Sequence, residues 1–193
     1  MSALTHTNEK SRRQSLRRRL LAERLAFAEN PAFEAARDSL ANRLLTVLTT
    51  LEPKSIGLYW PLRGEFNAID AIRRAPISNT MRLALPHVRK LPPHMEYRAW
   101  DGIPPTDTDE AGIPSPQGEV LVPEVVLAPC LGFTDAPFRL GYGGGYFDRW
   151  LAANSHVVAV GVAWASARLL VGEFQPEPHD IALTLVVTQH EVI

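Results

Sequence analysis

Arg139-Leu140-Gly141-Tyr142-Gly143-Gly144-Gly145-Tyr146-Phe147-Asp148 is the segment whose residue types can do chemistry. Its glycines bring almost no apolar surface and each costs conformational entropy on folding, so packing does not account for them. What they offer is an unobstructed backbone on which several N–H groups can converge on an anion. An apolar run, Glu124 to Leu131, precedes the loop, and a helical segment, Asp148 to Ala153, follows it. Strand, glycine loop and helix in that order predict phosphate binding at a helix N-terminus. Asp148 then stands where the helix begins, placed to hold a metal ion or to cap the first turn. The competing structural explanation is a flexible turn with an incidental aspartate cap.

Such a loop needs a frame, and the chain supplies alternating helical and extended segments. Residues 1–9 are polar and are expected to form a disordered tail, leaving 10–193 as one α/β domain. From Lys10 to Phe27, Leu16, Leu20, Leu21 and Leu25 recur at helical spacing beside a basic face of Lys10, Arg12, Arg13, Arg17, Arg18, Arg19 and Arg24. A second helix is predicted from Pro31 to Leu51, with Asn30 as N-cap and Pro31 in the first helical position. Strands follow at Ser55–Trp60, Arg82–Pro86, Met95–Ala99, Val125–Cys130, Val157–Trp164 and Ala182–Thr188, with a helix at Ala68–Arg74. Residues 101–120 are rich in Pro, Gly and Asp and read as a loop. Strands rich in Val, Leu and Ala without strict alternation indicate burial on both faces. The expected architecture is a single-domain three-layer α/β/α sandwich, Rossmann-like, with a mostly parallel sheet and N-terminal helices.

At 193 residues, 46% hydrophobic and 21% charged, the composition is that of an ordinary globular domain with a full core. A formal net charge of -1 gives no electrostatic case for nucleic acid or a membrane surface. The single cysteine, Cys130, excludes an internal disulfide framework and reads as a small buried hydrophobe at a strand end. No apolar run reaches transmembrane length, and the N-terminus lacks a signal-peptide hydrophobic region, so a cytoplasmic location is expected.

The ordered set of motifs resembles the 5-formyltetrahydrofolate cyclo-ligase family, also called 5,10-methenyltetrahydrofolate synthetase. The likeness runs from about Arg13 to Ile193 and is most specific at Arg139–Asp148. Arg13-Gln14-Ser15-Leu16-Arg17 with Arg24, Tyr59-Trp60-Pro61 with Glu65, Leu85-Pro86, Gly112-Ile113-Pro114, Pro129–Phe133, Pro178-His179-Asp180 and Val186-Val187-Thr188 support it. The resemblance implies ring closure of 5-formyltetrahydrofolate to 5,10-methenyltetrahydrofolate, with ATP and Mg²⁺ as cofactors. In that scheme Arg139, Tyr146 and Asp148 are catalytic, and Asp148 binds the metal. Arg13, Arg17 and the stretch Arg139, Leu140, Gly141, Tyr142, Gly143, Gly144, Gly145 and Tyr146 hold the nucleotide. Tyr59, Trp60 and Glu65 contact the folate. Taken alone, Glu65 reads as an exposed loop residue; only the resemblance gives it the aminopyrimidine edge of a pterin. Tyr97 is a further stacking candidate, although aromatic residues on strands more often belong to a core. His179-Asp180 reads either as a charge-assisted pair near the phosphates or as a cap before the last strand. The expected partners are small molecules, a reduced folate and ATP, with no nucleic acid or membrane, on a monomer or weak dimer.

This sequence departs from the family pattern at several points. Arg13 replaces the usual Lys, keeping the charge while fixing fork geometry. Gly144 stands where many members carry Lys, Ser115 where Glu or Gln is frequent, and Ala167 where Gln is usual; Thr134–Phe138 alters the turn before Arg139. A catalytically impaired nucleotide- or folate-binding paralogue with a regulatory role is the second reading, and it would be marked by loss of Asp148, Arg139 or Glu65. A sugar-phosphate isomerase would need an acid–base pair that the sequence does not offer. Nucleic-acid binding through the basic helix would need a second basic stretch.

Overall fold

No proline or glycine interrupts the chain before Pro31. The first helix is correspondingly long: in the computed structural model, which describes residues 2–76 and 81–193, α1 spans Ser2–Ala28. Residues 2–9, where a tail was expected, continue this helix, and nothing in their composition breaks one. α2 spans Phe33–Leu51 and begins two residues later than expected. Asn30 Oδ1 accepts the Ala32 N–H at 2.8 Å, so Pro31 and Ala32 form the capping turn rather than helix. α3 spans Ala68–Arg73 and is capped by Asn67, whose side chain accepts the Asp70 N–H.

Six strands form the main sheet: β1 (Ser55–Gly57), β2 (Arg82–Lys90), β3 (Pro93–Trp100), β4 (Val125–Pro129), β7 (Val158–Val162) and β8 (Leu185–Val187). Their order is β3-β2-β1-β4-β7-β8, parallel throughout except for the β2–β3 hairpin at one edge. The mostly parallel sheet and its helical cover are as expected. β2 runs past Pro86 to Lys90, since the full-length pairing with β3 holds the proline within an antiparallel ladder.

The two sheet faces bury different residue sizes. Ile56, Val125, Leu127, Val160, Val162 and Val187 pack against Leu40, Leu44 and Leu48 of α2 and Ile69 and Ile72 of α3. The opposite face presents Ala84, Val126, Ala128, Ala159 and Val186 to α4 (Tyr146–Ala153), which inserts Trp150 and Leu151. Small residues there make room for large ones: a Cβ on Gly57 would lie 2.6 Å from the Tyr97 ring, and that ring packs edge-on to Trp150 with centroids 4.9 Å apart. Tyr97 is therefore a core residue beneath α4 and not a pterin platform, the commoner of the two alternatives for an aromatic residue on a strand.

α1 touches the first layer through Phe27, which packs against Phe33 and Trp164, but most of its apolar face lies elsewhere. Its Leu16 and Leu20 pack with Leu131, Leu140, Leu169 and Phe174 in a third cluster just beyond the carboxyl end of β4. A fully buried leucine is worth about 1.5–3 kcal/mol, so these contacts dock the helix firmly there. Part of that cluster is a small hairpin, β5 (Gly132–Phe133) with β6 (Arg139–Leu140), which sequence reasoning missed. Thr134–Phe138 forms its turn, closed by Thr134 N–H to the Phe138 carbonyl at 3.0 Å. β6 delivers the chain directly into the glycine loop.

Candidate active site

A cavity of about 490 Å³ opens where β1 and β4 end. Tyr59 and Trp60 follow β1, Pro129 ends β4, and Arg139 through Asp148 closes one side. In an open parallel sheet this crevice beyond the carboxyl ends is where ligands bind. The residues to which the resemblance gave a role all line it: Arg13, Arg17, Tyr59, Trp60, Glu65 and the run from Arg139 to Asp148.

The glycine loop enters α4 through Gly145, at φ +62, and Gly143 has φ +97. Both lie in the left-handed region where a side chain is strained. Gly145 thus occupies the N-cap, and Asp148 lies in the first turn instead of opening the helix, a correction of two to three residues. A carboxylate in that turn still faces the helix dipole favourably. Asp148 Oδ2 accepts from Arg139 Nη2 at 2.9 Å, and its Oδ1 accepts the Ile181 N–H at 3.3 Å. The Arg139 guanidinium also lies 5.1 Å from the Phe147 ring centroid, and its buried Nε has no partner.

α1 contributes three arginines from one inward stripe, at 13, 17 and 24, while Arg12, Arg18 and Arg19 are exposed. Leu25, expected in the apolar stripe, is exposed as well: helical phase puts position 24, not 25, beneath Leu20. Arg13 is a bidentate partner of Asp180, at 2.7 and 3.3 Å, and donates to the Gln175 carbonyl at 2.8 Å. Of the two readings of His179-Asp180, neither holds in full: Asp180 anchors α1 through Arg13, and His179 is exposed. Burial alone would raise the Asp180 carboxyl, but the hydrogen bonds from Arg13 and the Glu177 N–H and the charges of Arg13 and His179 hold it below the usual range. Arg17 differs. Its Nε donates to the Gly141 carbonyl at 2.8 Å, its guanidinium lies over Gly143, and among the described residues it pairs with no carboxylate. Burial, and then the charge of Arg13, lower its pKa, so an arriving anion would relieve a desolvated cation.

At the other end of the cavity stands Glu65. Its side chain is 5% exposed, which overturns the reading of an exposed loop glutamate. Oε2 accepts the Leu62 N–H at 2.9 Å, and Oε1 accepts the Tyr142 hydroxyl at 2.8 Å with Arg24 Nη1 at 3.3 Å. Arg24 also donates to the Tyr142 hydroxyl at 2.8 Å and to the Cys130 carbonyl at 3.3 Å. Burial pushes the Glu65 carboxyl up, and these donors and the Arg24 charge only partly offset it. Arg24 was in the motif set but had no role; its helical phase with Arg13 and Arg17 was the available signal.

Trp60 is half-buried at the cavity wall, whereas Tyr59 is buried and donates to the Phe66 carbonyl at 2.7 Å, so Tyr59 offers a ring edge but no free hydroxyl. Tyr146 lies close over Gly144: a Cβ there would be 2.8 Å from its ring. Arg149, also missed, faces the loop, donating to the Gly144 carbonyl at 2.8 Å and lying 5.1 Å from the Tyr146 ring. Its place one turn after Gly145 was the signal. Ser115 is buried and binds the Pro86 carbonyl and His87, and Ala167 packs in the core, so both departures are accommodated locally. Cys130 is buried and its thiol is pushed up to about 12 by burial, consistent with a packing role. Among the described residues, no helix is long and apolar enough to cross a membrane.

Residues 9–189 match the family model described as the 5-formyltetrahydrofolate cyclo-ligase family. The chain is 25% identical over 181 residues to a 5-formyltetrahydrofolate cyclo-ligase of Mycoplasma pneumoniae, covering 91% of this chain and 97% of that one. It is 40% identical to the Mycolicibacterium smegmatis protein of the same name, over 34% of this chain and 33% of the other. In fold it is similar to the solved 5,10-methenyltetrahydrofolate synthetase of Mycoplasma pneumoniae, with a TM-score of 0.71 at 21% identity over 92% and 98% of the two chains. The corresponding Aquifex aeolicus structure gives 0.72 at 24% identity over 93% and 91%.

Proposed function

Because the chain belongs to the 5-formyltetrahydrofolate cyclo-ligase family, we propose that it is the ATP-dependent enzyme of that name and that the cavity between the glycine loop and Glu65 is its active site. The observation that carries this reading is the division of one cavity into two chemistries. Bare backbone and cations stand at one end, and a buried carboxylate with an aromatic wall stands at the other.

An amide-like formyl oxygen is a poor leaving group and must be activated. The formyl oxygen attacks the γ-phosphorus of ATP, the bond from that phosphorus to the β–γ bridging oxygen breaks, and ADP leaves. N10 then attacks the activated carbon and releases its proton to solvent. Phosphate departs with the former formyl oxygen, leaving the methenyl bridge. Catalysis of the first step rests on positioning and on neutralising charge. The amides around Gly143–Gly145 and the Arg17 guanidinium would hold the triphosphate, and Arg139 would turn its fork between Asp148 and a phosphate oxygen. Tyr146, with Arg149 against its ring, would wall the nucleotide side. Arg13 acts one step removed, fixing α1 through Asp180 so that Arg17 reaches the loop.

Asp148 stands beside the glycine loop with one oxygen on Arg139 and the other held only by a 3.3 Å bond from the Ile181 N–H. One such carboxylate fits Mg²⁺, which takes one or two and completes its shell with phosphates and water. Asp148 would be the carboxylate that holds it, and the ion when bound would supply charge neutralisation for the triphosphate. Glu65 would accept two donors from the pterin's aminopyrimidine edge, with Trp60 against its face. The scheme requires only a reduced folate and ATP, on a monomer or weak dimer, and the lone buried thiol fits a cytoplasmic enzyme.

The test is an absorbance assay for the methenyl product from 5-formyltetrahydrofolate with and without ATP. ATP-dependent product is expected. Binding of both compounds without product would instead support the impaired paralogue.

A further inference from the structure

Three donors satisfy the Glu65 carboxylate, and they differ in how firmly they are held. Leu62 donates from the backbone at 2.9 Å. Arg24 is buried and braced by the Cys130 carbonyl. Tyr142 is the exception: it is 44% exposed and belongs to the glycine loop, yet its hydroxyl reaches in to donate to Oε1 at 2.8 Å. Its neighbours are Gly141 and Gly143, the latter at φ +97, so backbone rotation there meets no Cβ. Of the three, Tyr142 alone can leave without dismantling α1 or the Leu62–Glu65 turn. The chain therefore covers its buried carboxylate with a donor borrowed from the opposite end of the same cavity.

We propose that Tyr142 is a displaceable lid on Glu65, holding the place of a folate N–H donor and coupling the folate pocket to the glycine loop. This rests on the reading of the site given above and deepens it. With Tyr142 seated, Glu65 Oε1 is occupied, and the loop is tied at one point to the pterin end. Folate entering must take over that oxygen, and Arg24 stays beside the carboxylate while it does so. Displacing Tyr142 frees Gly141 and Gly143, the two loop residues that Arg17 touches. A triphosphate gathering the loop amides draws Tyr142 the same way. Both ligands thus favour the unseated state, and each strengthens the other's binding by the same factor.

Calorimetry with 5-formyltetrahydrofolate, alone and with AMP-PNP and magnesium, tests this in the wild type and in Tyr142→Phe, which keeps the ring and deletes only the hydroxyl. A hydrogen bond to a charged group corresponds to roughly a tenfold change in affinity. The wild type is expected to bind folate ~tenfold more tightly with the nucleotide analogue present. Tyr142→Phe should bind folate ~tenfold more tightly on its own and gain little from nucleotide, and Tyr142→Met should behave alike. Folate binding unchanged or weakened in both variants, coupling that persists in them, or a wild type without coupling would overturn the lid while leaving the enzymatic reading intact. A wild type that binds neither ligand would overturn both.

Discussion

Arg139–Asp148 and Arg24–Glu65 are both arginine–carboxylate pairs, at 2.9 and 3.3 Å, and they stand at opposite ends of one cavity. The first is partly open: Asp148 keeps 14% of its side chain exposed, and its second oxygen has only a long bond to the Ile181 N–H. The second is sealed, with both side chains at 5% exposure and Tyr142 closing the last oxygen. Buried pairs are poor stabilisers, because desolvation cancels much of the attraction. In the proposed reading their use is to hold a carboxylate aimed until a ligand takes it. The open pair suits a hydrated cation that exchanges with each nucleotide. The closed pair suits a flat, hydrogen-bonding ring that must displace whatever covers it.

The comparison breaks most easily at Asp148. Asp148→Asn keeps size and the bond to Arg139 while removing the charge, and turnover should fall by about 10³-fold, as for loss of a principal electrostatic group. Calorimetric binding of folate should stay within about threefold. Near-normal turnover at saturating magnesium would remove Asp148 from its assigned role. At the sealed end, Glu65→Gln should weaken folate binding by about 30-fold without weakening AMP-PNP binding, since a partner of a buried charged pair is lost. Equal losses for both ligands would mean that the cavity is not divided as described. The same carboxylate sets a pH dependence. Burial has raised its pKa, so protonation on acidification removes the acceptor at a higher pH than for an ordinary glutamate, and folate affinity falls there. The Gln variant should show no such fall.

A smaller effect separates the arginines of α1. Arg17→Ala removes a cation that pairs with no carboxylate among the described residues and should raise the ATP KM about tenfold with little change in melting temperature. A shift confined to the folate KM would assign Arg17 to the wrong end.

What the sequence disclosed follows from how local each feature is. The glycine loop was legible because its chemistry lies within ten consecutive residues, Arg139 to Asp148. Arg13 and Arg17 were legible from motif and phase together. Glu65 was legible only through the resemblance, because its burial depends on Arg24 and on Tyr142, the latter 77 positions away, and no periodicity encodes such a meeting. The β5–β6 hairpin escaped because two-residue strands are too short to show alternation. Tyr97 stayed open between core and pterin because the face it occupies is decided by the gap over Gly57, a cross-strand fact.

The mildest expected effect concerns the strut rather than either end. Arg13 and Asp180 have side chains 9% and 8% exposed and are joined by two hydrogen bonds. Asp180→Asn should cost about 2 kcal/mol, between the values for exposed and fully buried pairs. The folded pKa of Asp180 is depressed, so the native state binds its proton less readily than the unfolded chain does. Its stabilisation is therefore complete above the ordinary aspartate range and is lost as pH falls through the depressed folded value. The difference in melting temperature between wild type and Asp180→Asn should be largest near neutrality and close toward strongly acidic pH. A difference that is flat with pH would mean that Asp180 contributes packing and not charge. If ATP KM rises while stability holds, the strut touches the nucleotide itself, and Arg13 joins Arg17 at the phosphate end.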